Sequence, residues 1–277
     1  MSGTHGNPRD NFLHNVLAGL LAATDRALNA DTLASREGLL QRIDARVKLA
    51  GIMALILAVA LSTKLGVIGA ILALALSLSA MSRLPVAVMA PAWISALMFT
   101  GMIAIPAVFL TPGRSVLHFP NLNWDITDQG LTTASFLMLR VETSTTLALI
   151  LVFTTPWTHV LKALRIFRVP AVFVVVLGMA FRYILLLLAT AREMFESRTS
   201  RTVGRLSGSQ YRRLAITSAG VLMSKTLQLS SEVYLAMQAR GFRGEVYILD
   251  EFRMANRDWT ALALFAAASA GAVWAGR

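Results

Sequence analysis

The chain has 277 residues, 56% hydrophobic and 15% charged, and its mean hydropathy of +0.61 lies outside the range of soluble globular domains. Lys and Arg number 26 against 15 Asp and Glu, a net charge of +11 that fits the basic loops of a polytopic membrane protein. Cysteine is absent, which excludes disulfides, thiolate metal sites and thiol nucleophiles from this chain.

At the N-terminal end, residues 16–23 are apolar and follow Arg9, the pattern of a signal peptide. Asp10 and Asp25 flank the run, it is short for a signal core, and Leu13, Leu17, Leu20, Thr24 and Leu28 recur at helical spacing. The expectation for residues 1–40 is therefore an amphipathic helix on the membrane surface or against the protein.

Charge-free stretches then mark the spans, each needing about 17 to 25 residues to cross a core roughly 30 Å thick. The first, 49–63, holds only 15 uncharged residues, so Lys48 and Lys64 must snorkel or the bilayer must thin beside it. A tight turn at residues 63–66 leads to a second span ending at Ser82. The third is placed at 91–110, with Pro85 and Pro91 at its start and Pro106 at a kink or end. Thr111, Pro112 and Gly113 open a loop to Gln129, and a fourth span follows at 131–155, containing Arg140 and Glu142.

Residues 156–257 carry 15 of the Lys/Arg and 6 of the acids, so the positive-inside rule makes this region cytoplasmic. Its apolar run, 169–191, has Arg182 in the middle. A single crossing there would also put Lys162, Arg165 and Arg168 on the opposite side from the basic residues of 191–257. The expectation is one long helix over 169–205 lying obliquely at the cytoplasmic boundary. A fifth span, 259–276, ends outside. The fold class is thus an all-α integral membrane protein with about five transmembrane helices. Its organisation is an N-terminal segment 1–40, a four-span membrane domain 41–155, a cytoplasmic helical module 156–257 and a C-terminal transmembrane helix 258–277.

Motor chemistry is missing. A phosphate-binding loop ends in Gly-Lys-Ser/Thr, and no Gly-Lys dipeptide occurs. His5, His14, His118 and His159 are scattered without helical i,i+4 pairing, so no metal site and no cofactor are expected. Arg140 and Glu142 are two residues apart and so on different faces. A structural pairing of each with another helix is favoured over a proton relay, which would make the chain a self-contained channel or secondary carrier. Inverted repeats that would support such a carrier are not found. A nucleic-acid binder would need aromatic residues interleaved with the basic ones, and those of 191–257 are too dispersed.

Two cytoplasmic helices end in arginine. One, over about 210–240, carries Met223, Leu227, Tyr234 and Met237 along one face and stops at Ala239-Arg240-Gly241, where glycine suits a left-handed cap. The other ends in Ser197-Arg198-Thr199-Ser200-Arg201-Thr202 before Gly204, with Arg198, Arg201 and Arg205 on one stripe. Paired arginine ends on a membrane protein without its own ATPase are what docking onto two nucleotide-binding subunits requires, since guanidinium groups hold carboxylates bidentately.

The residues that carry a family likeness are Ile43-Asp44-Ala45-Arg46-Val47-Lys48-Leu49; Thr154-Thr155-Pro156-Trp157 with Leu161-Lys162-Ala163-Leu164-Arg165 and Val169-Pro170; Phe181-Arg182-Tyr183; and Ala236-Met237-Gln238-Ala239-Arg240-Gly241-Phe242. In these the chain resembles the transmembrane T component of energy-coupling-factor transporters, the cobalt-type branch in particular, over roughly residues 40–255. The resemblance implies three coupling helices, at about 156–168, 169–203 and 210–241. It implies two ABC-type ATPase subunits as partners, each receiving one arginine motif: Arg198, Ser200, Arg201 and Thr202 for one, Ala239, Arg240 and Gly241 for the other. It also implies a substrate-binding membrane component resting on apolar faces that include Met179, Met194, Met223 and Met237, and cobalt or nickel as the cargo. The first motif departs from the family's usual alanine, arginine, then glycine or serine, which leaves Arg198 and Arg201 as alternatives for the first ATPase contact. A non-catalytic subunit in the inner membrane, with the lipid bilayer as a further partner, is the expected setting.

Overall fold

The computed structural model describes residues 38–111, 115–119, 124–164, 169–201, 208–242 and 255–277, together with Gly19 and Ala22, which are helical. The rest of the expected N-terminal amphipathic helix lies outside the described residues, as do Arg165, Arg168, Thr202, Gly204 and Arg205. The chain divides into two compact units, residues 30–163 with 252–277, and residues 1–29 with 164–251.

The first unit is a helical membrane body. Its elements are α1 (Ala45–Leu61), α2 (Leu65–Met81), α3 (Val86–Leu110), a hairpin of β1 (Ser115–Phe119) and β2 (Trp124–Thr127), α4 (Asp128–Thr154), the short α5 (Trp157–Leu164) and α8 (Asn256–Gly276). α1 starts where Asp44 turns its carboxylate onto the backbone N–H of Arg46. Lys48, Ile52, Leu55, Val59 and Ser62 are all fully buried. They fall at i, i+4, i+7, i+11 and i+14, so one stripe of α1 forms the floor of the core. α8 packs along α1, and Gly51 permits the approach: a Cβ there would lie 2.5 Å from Cγ of Phe265.

The two helices run parallel and are tied at both ends. Asp258, in the first turn of α8, accepts from the backbone N–H groups of Asp44 and Ala255, both at 2.9 Å. At the far end the N–H of Thr63 donates to Gly276 O at 3.0 Å.

The third helix begins at Val86 rather than at 91, and both Pro91 and Pro106 lie inside it. Each proline removes one intrahelical hydrogen bond, which a membrane helix tolerates where neighbouring helices support it. α4 supplies that support along much of α3. Trp93 Nε1 donates to Thr146 Oγ1 at 3.1 Å, and Gly130 lets the start of α4 approach Val108 O, which a Cβ would meet at 2.6 Å. The expected loop between these helices contains the hairpin, with β1 and β2 antiparallel and His118 opposite Asp125. Thr127 then caps α4, accepting from the N–H of Gly130 while donating to Thr111 O.

The second unit contains two long helices that contact one another, α6 (Ala171–Arg201) and α7 (Gly208–Ala239). α6 is continuous through Arg182, which is exposed. Among the described residues, four helices are long and apolar enough to cross a membrane: α3, α4, α6 over Val172–Arg198, and α8; α2 is a shorter apolar helix. With its apolar body and four such helices, the chain is an all-α, multi-pass membrane protein.

Candidate docking interface

The end of α7 is built as the residues require. The N–H of Gly241 donates to Gln238 O at 2.9 Å, and the N–H of Phe242 donates to Met237 O at 3.0 Å. This pair of bonds is the Schellman arrangement, which needs a left-handed residue at Gly241, and its φ is +81°. A side chain would be strained there, so glycine fixes where the helix stops. Arg240, one residue earlier, is held on the terminal turn and is exposed, as are Ala239 and Gly241. The partial negative charge of the helix end favours a cation at that place.

α6 ends differently. Ser200 Oγ donates to Glu196 O at 3.0 Å, and Arg201 is exposed at the helix terminus. Arg198 is half-buried and is engaged within the chain. One turn earlier Arg192 Nε donates to Glu196 Oε1 at 2.7 Å, an exposed i,i+4 pair that contributes little to stability. Arg201, the last described residue of α6, and Arg240, at a capped helix end, are thus both exposed, and Arg198 differs from them in being engaged within the chain.

The methionines also separate. Met223 is exposed, whereas Met179, Met194 and Met237 are half-buried. Met237 and Phe242 are the C3 and C″ residues of the Schellman turn, where an apolar contact commonly accompanies the backbone bonds. On α7, Ile216, Met223, Leu227 and Tyr234 are all more than half exposed. Their spacing of 7, 4 and 7 puts them on a single stripe. The opposite side of the helix carries Leu214, Ser218, Leu222, Leu229 and Val233, which are half-buried or buried. α7 is therefore apolar on two faces, one covered within the chain and one not. Ile216 escapes a reading focused on methionine, and the seven-residue step to Met223 is the signal that finds it.

In the membrane body, two basic residues have backbone partners. Lys48 is 2% exposed, and its Nζ donates to Thr154 O at 2.8 Å. Arg140 Nη2 donates to Ser62 O at 2.9 Å. Lys48 to Ser62 is 14 residues of α1 and its cap, and Arg140 to Thr154 is 14 residues of α4. The two helices are antiparallel, and each supplies a cation to the C-terminal carbonyls of the other, about 21 Å apart along the axes. Glu142 is half-buried with Oε2 unpartnered, and among the described residues no ion pair joins it to Arg140. No group of three His, Asp or Glu side chains among the described residues could hold a metal ion.

Lys48 and Thr154 belong to two sequence segments far apart in the chain, and their meeting anchors α5 directly beyond Thr154 and Thr155. The sequence model of the cobalt transport protein CbiQ matches residues 37–248, three-quarters of the chain, from the segment before α1 past the cap of α7. The chain belongs to the CbiQ family. An uncharacterized protein of Methanocaldococcus jannaschii is 34% identical to it over 215 residues, covering 76% of this chain and 73% of the relative. As a member of this cobalt transport family the chain is a membrane component of a transporter, and such components work with partner subunits. α8 lies beyond the matched region, yet its two ends are bonded to those of α1, so it is an integral part of the body.

Proposed function

We propose that this CbiQ-family chain is the energy-coupling T component of an ECF-type ABC importer. It passes the ATP-driven motion of two ATPase subunits to a separate substrate-binding membrane component, with cobalt or nickel as cargo, and catalyses no reaction itself. The observation that carries this reading is the end of α7, where a Schellman cap presents an exposed Arg240 beside an uncovered apolar stripe on the same helix. Arg201 at the end of α6 is the matching cation, and its exposure favours it over the engaged Arg198 for the first ATPase contact. ATP-driven closure of the ATPase pair changes the separation of the two arginine ends and so tilts α6 and α7 under the substrate component. The apolar stripe of α7, with Met223 at its centre, suits a partner that shifts while staying bound, because methionine adapts its shape.

In this reading the module from 156 to 257 is cytoplasmic, in the inner membrane of the cell. α6 is long enough to cross, but a crossing would separate Lys162 from the basic residues of α7 and place one group outside, against the positive-inside rule. Cysteines introduced at Leu161 and Gly208 should therefore be labelled from the same side; labelling from opposite sides overturns the oblique placement of α6.

The main test is recovery of ATPase by the tagged chain from membranes. Arg201→Glu and Arg240→Glu should each lose part of it, and the double variant all of it, because both acidic pockets then meet like charge. Full recovery with an inserted, folded double variant contradicts the reading. The carrier alternative has lost one element: Arg140, which it would use, is bonded to the end of α1.

A further inference from the structure

α1 forms the floor of a cleft in the membrane body, with α2 as one wall and α8 as the other. Two apolar cavities of about 330 and 210 Å³ lie along it, and they share Leu74 and Ala268. The larger of the two is lined by small residues, among them Gly66, Ala70, Gly271 and Ala275, whose side chains are too short to fill it. From Gly66 to Leu78 the cleft follows α2 for about 18 Å, nearly the whole length of that helix.

At the Leu78 end the chemistry changes. A further cavity of about 290 Å³ is lined by Gly38, Leu39, Arg42, Met81 and Arg83, next to the Leu40 and Ile43 that close the apolar cleft. Gln41 Nε2 reaches Ser82 O at 3.4 Å, a long hydrogen bond between the two segments that line this mouth. Arg83 has a φ of +52° in the turn between α2 and α3, where glycine or asparagine would be less strained. The chain thus holds a guanidinium at the mouth in spite of its backbone. Both arginines are exposed, and Arg42 is also engaged within the chain.

An apolar slot about 18 Å long, parallel to the helices of the body and ending at two cations, matches one molecule in shape and charge. We propose that the α2–α8 cleft binds an anionic phospholipid, with one acyl chain along the Gly66–Leu78 side of α2 and its phosphate held by Arg42 and Arg83. Basic pockets between membrane helices recognise phospholipid head groups in this way, by charge at the surface and hydrocarbon below it. The site is separate from the arginine ends of α6 and α7 and does not depend on the coupling reading. A bound lipid would fill the space between α2 and α8, which the protein's own side chains leave open, and so brace the side of the body that α3 and α4 do not cover.

The test uses the full chain, purified in mild detergent and exchanged with mixed vesicles of phosphatidylglycerol and phosphatidylcholine, with retained lipid read by native mass spectrometry. The wild type should retain phosphatidylglycerol in preference to phosphatidylcholine. Arg42→Gln/Arg83→Gln should lower that retention at least tenfold and abolish the preference. Gly271→Leu should block the slot and lower retention of both lipids. A Cβ at Gly271 meets nothing within 4 Å, and neither does one at Gly66, so Gly66→Leu is a second variant that fills the same cleft from the facing helix. Equal retention of the two lipids by the wild type overturns the proposal. So does preference that survives the arginine changes, retention unaffected by both cleft-filling variants, or a second protein chain recovered in place of lipid.

Discussion

The α1–α4 pair and the α6–α7 pair are both made of long antiparallel or adjoining helices, but they are finished in opposite ways. In α1 and α4 each helix end is bonded by a cation from the other helix, and the contact stripe of α1 is fully buried from Lys48 to Ser62. In α6 and α7 the cations sit exposed at the ends, and an apolar stripe of α7 faces outward. A helix pair whose polar ends are satisfied internally is a rigid support. A pair that leaves charge and apolar surface unpaired has them available for other chains. The same residue types therefore do opposite work: Lys48 and Arg140 hold the body together, while Arg201 and Arg240 are free to meet partners.

The sharpest way to break this comparison is to remove Lys48. Lys48→Ala leaves Thr154 O buried without a donor and takes away a charged hydrogen bond and its packed stem, at a cost of about 3 kcal/mol. The melting temperature of the purified chain should fall markedly. Arg201→Glu or Arg240→Glu, exposed and opposed only by the helix dipole, should change stability by no more than about 1 kcal/mol and move the melting temperature far less. Equal sensitivity of the two regions would erase the distinction.

A smaller effect on stability and a specific one on assembly are expected from the apolar stripe. Met223→Glu/Met237→Glu puts carboxylates on the proposed docking face and should lower recovery of the substrate-binding component at least tenfold, about 1.4 kcal/mol, with the ATPases retained. Met223→Glu alone should account for most of this, because Met237 is half-buried against its own chain. If both partners stay bound, the stripe serves internal packing instead.

What sequence reading reached, and what it missed, follows from the range of the interactions. The cap of α7 was legible because a helix stop is local: Arg240, Gly241 and Phe242 contain most of the information for the Schellman turn. The long apolar helices were legible because a charge-free run is local too. The start of α3 was misplaced by applying a preference for proline at the first helical turn, whereas α4 supports Pro91 within the helix. The β1–β2 hairpin was read as loop because strands of five and four residues have little pattern of their own and form by pairing with each other. The bond from Lys48 to Thr154 joins residues 106 apart. No local pattern encodes it, and by local pattern alone Lys48 is a snorkelling flank. The role of Arg140 was open for the same reason, since its partner at Ser62 lies 78 residues away.

If the chain couples ATP binding to transport as proposed, α6 and α7 move relative to each other when ATP binds while the body does not. The chain has no cysteine, so spin labels can be placed uniquely at Ser197 and Gln238, near the two arginine ends, and in a second sample at Leu61 and Val152 across the α1–α4 pair. Distance distributions measured by pulsed electron paramagnetic resonance in the assembled transporter, with and without a non-hydrolysable ATP analogue, test the claim directly. The predicted result is a shift of the Ser197–Gln238 distance by several ångströms with the Leu61–Val152 distance unchanged. An unchanged Ser197–Gln238 distance, or an equal shift across the body, would contradict it.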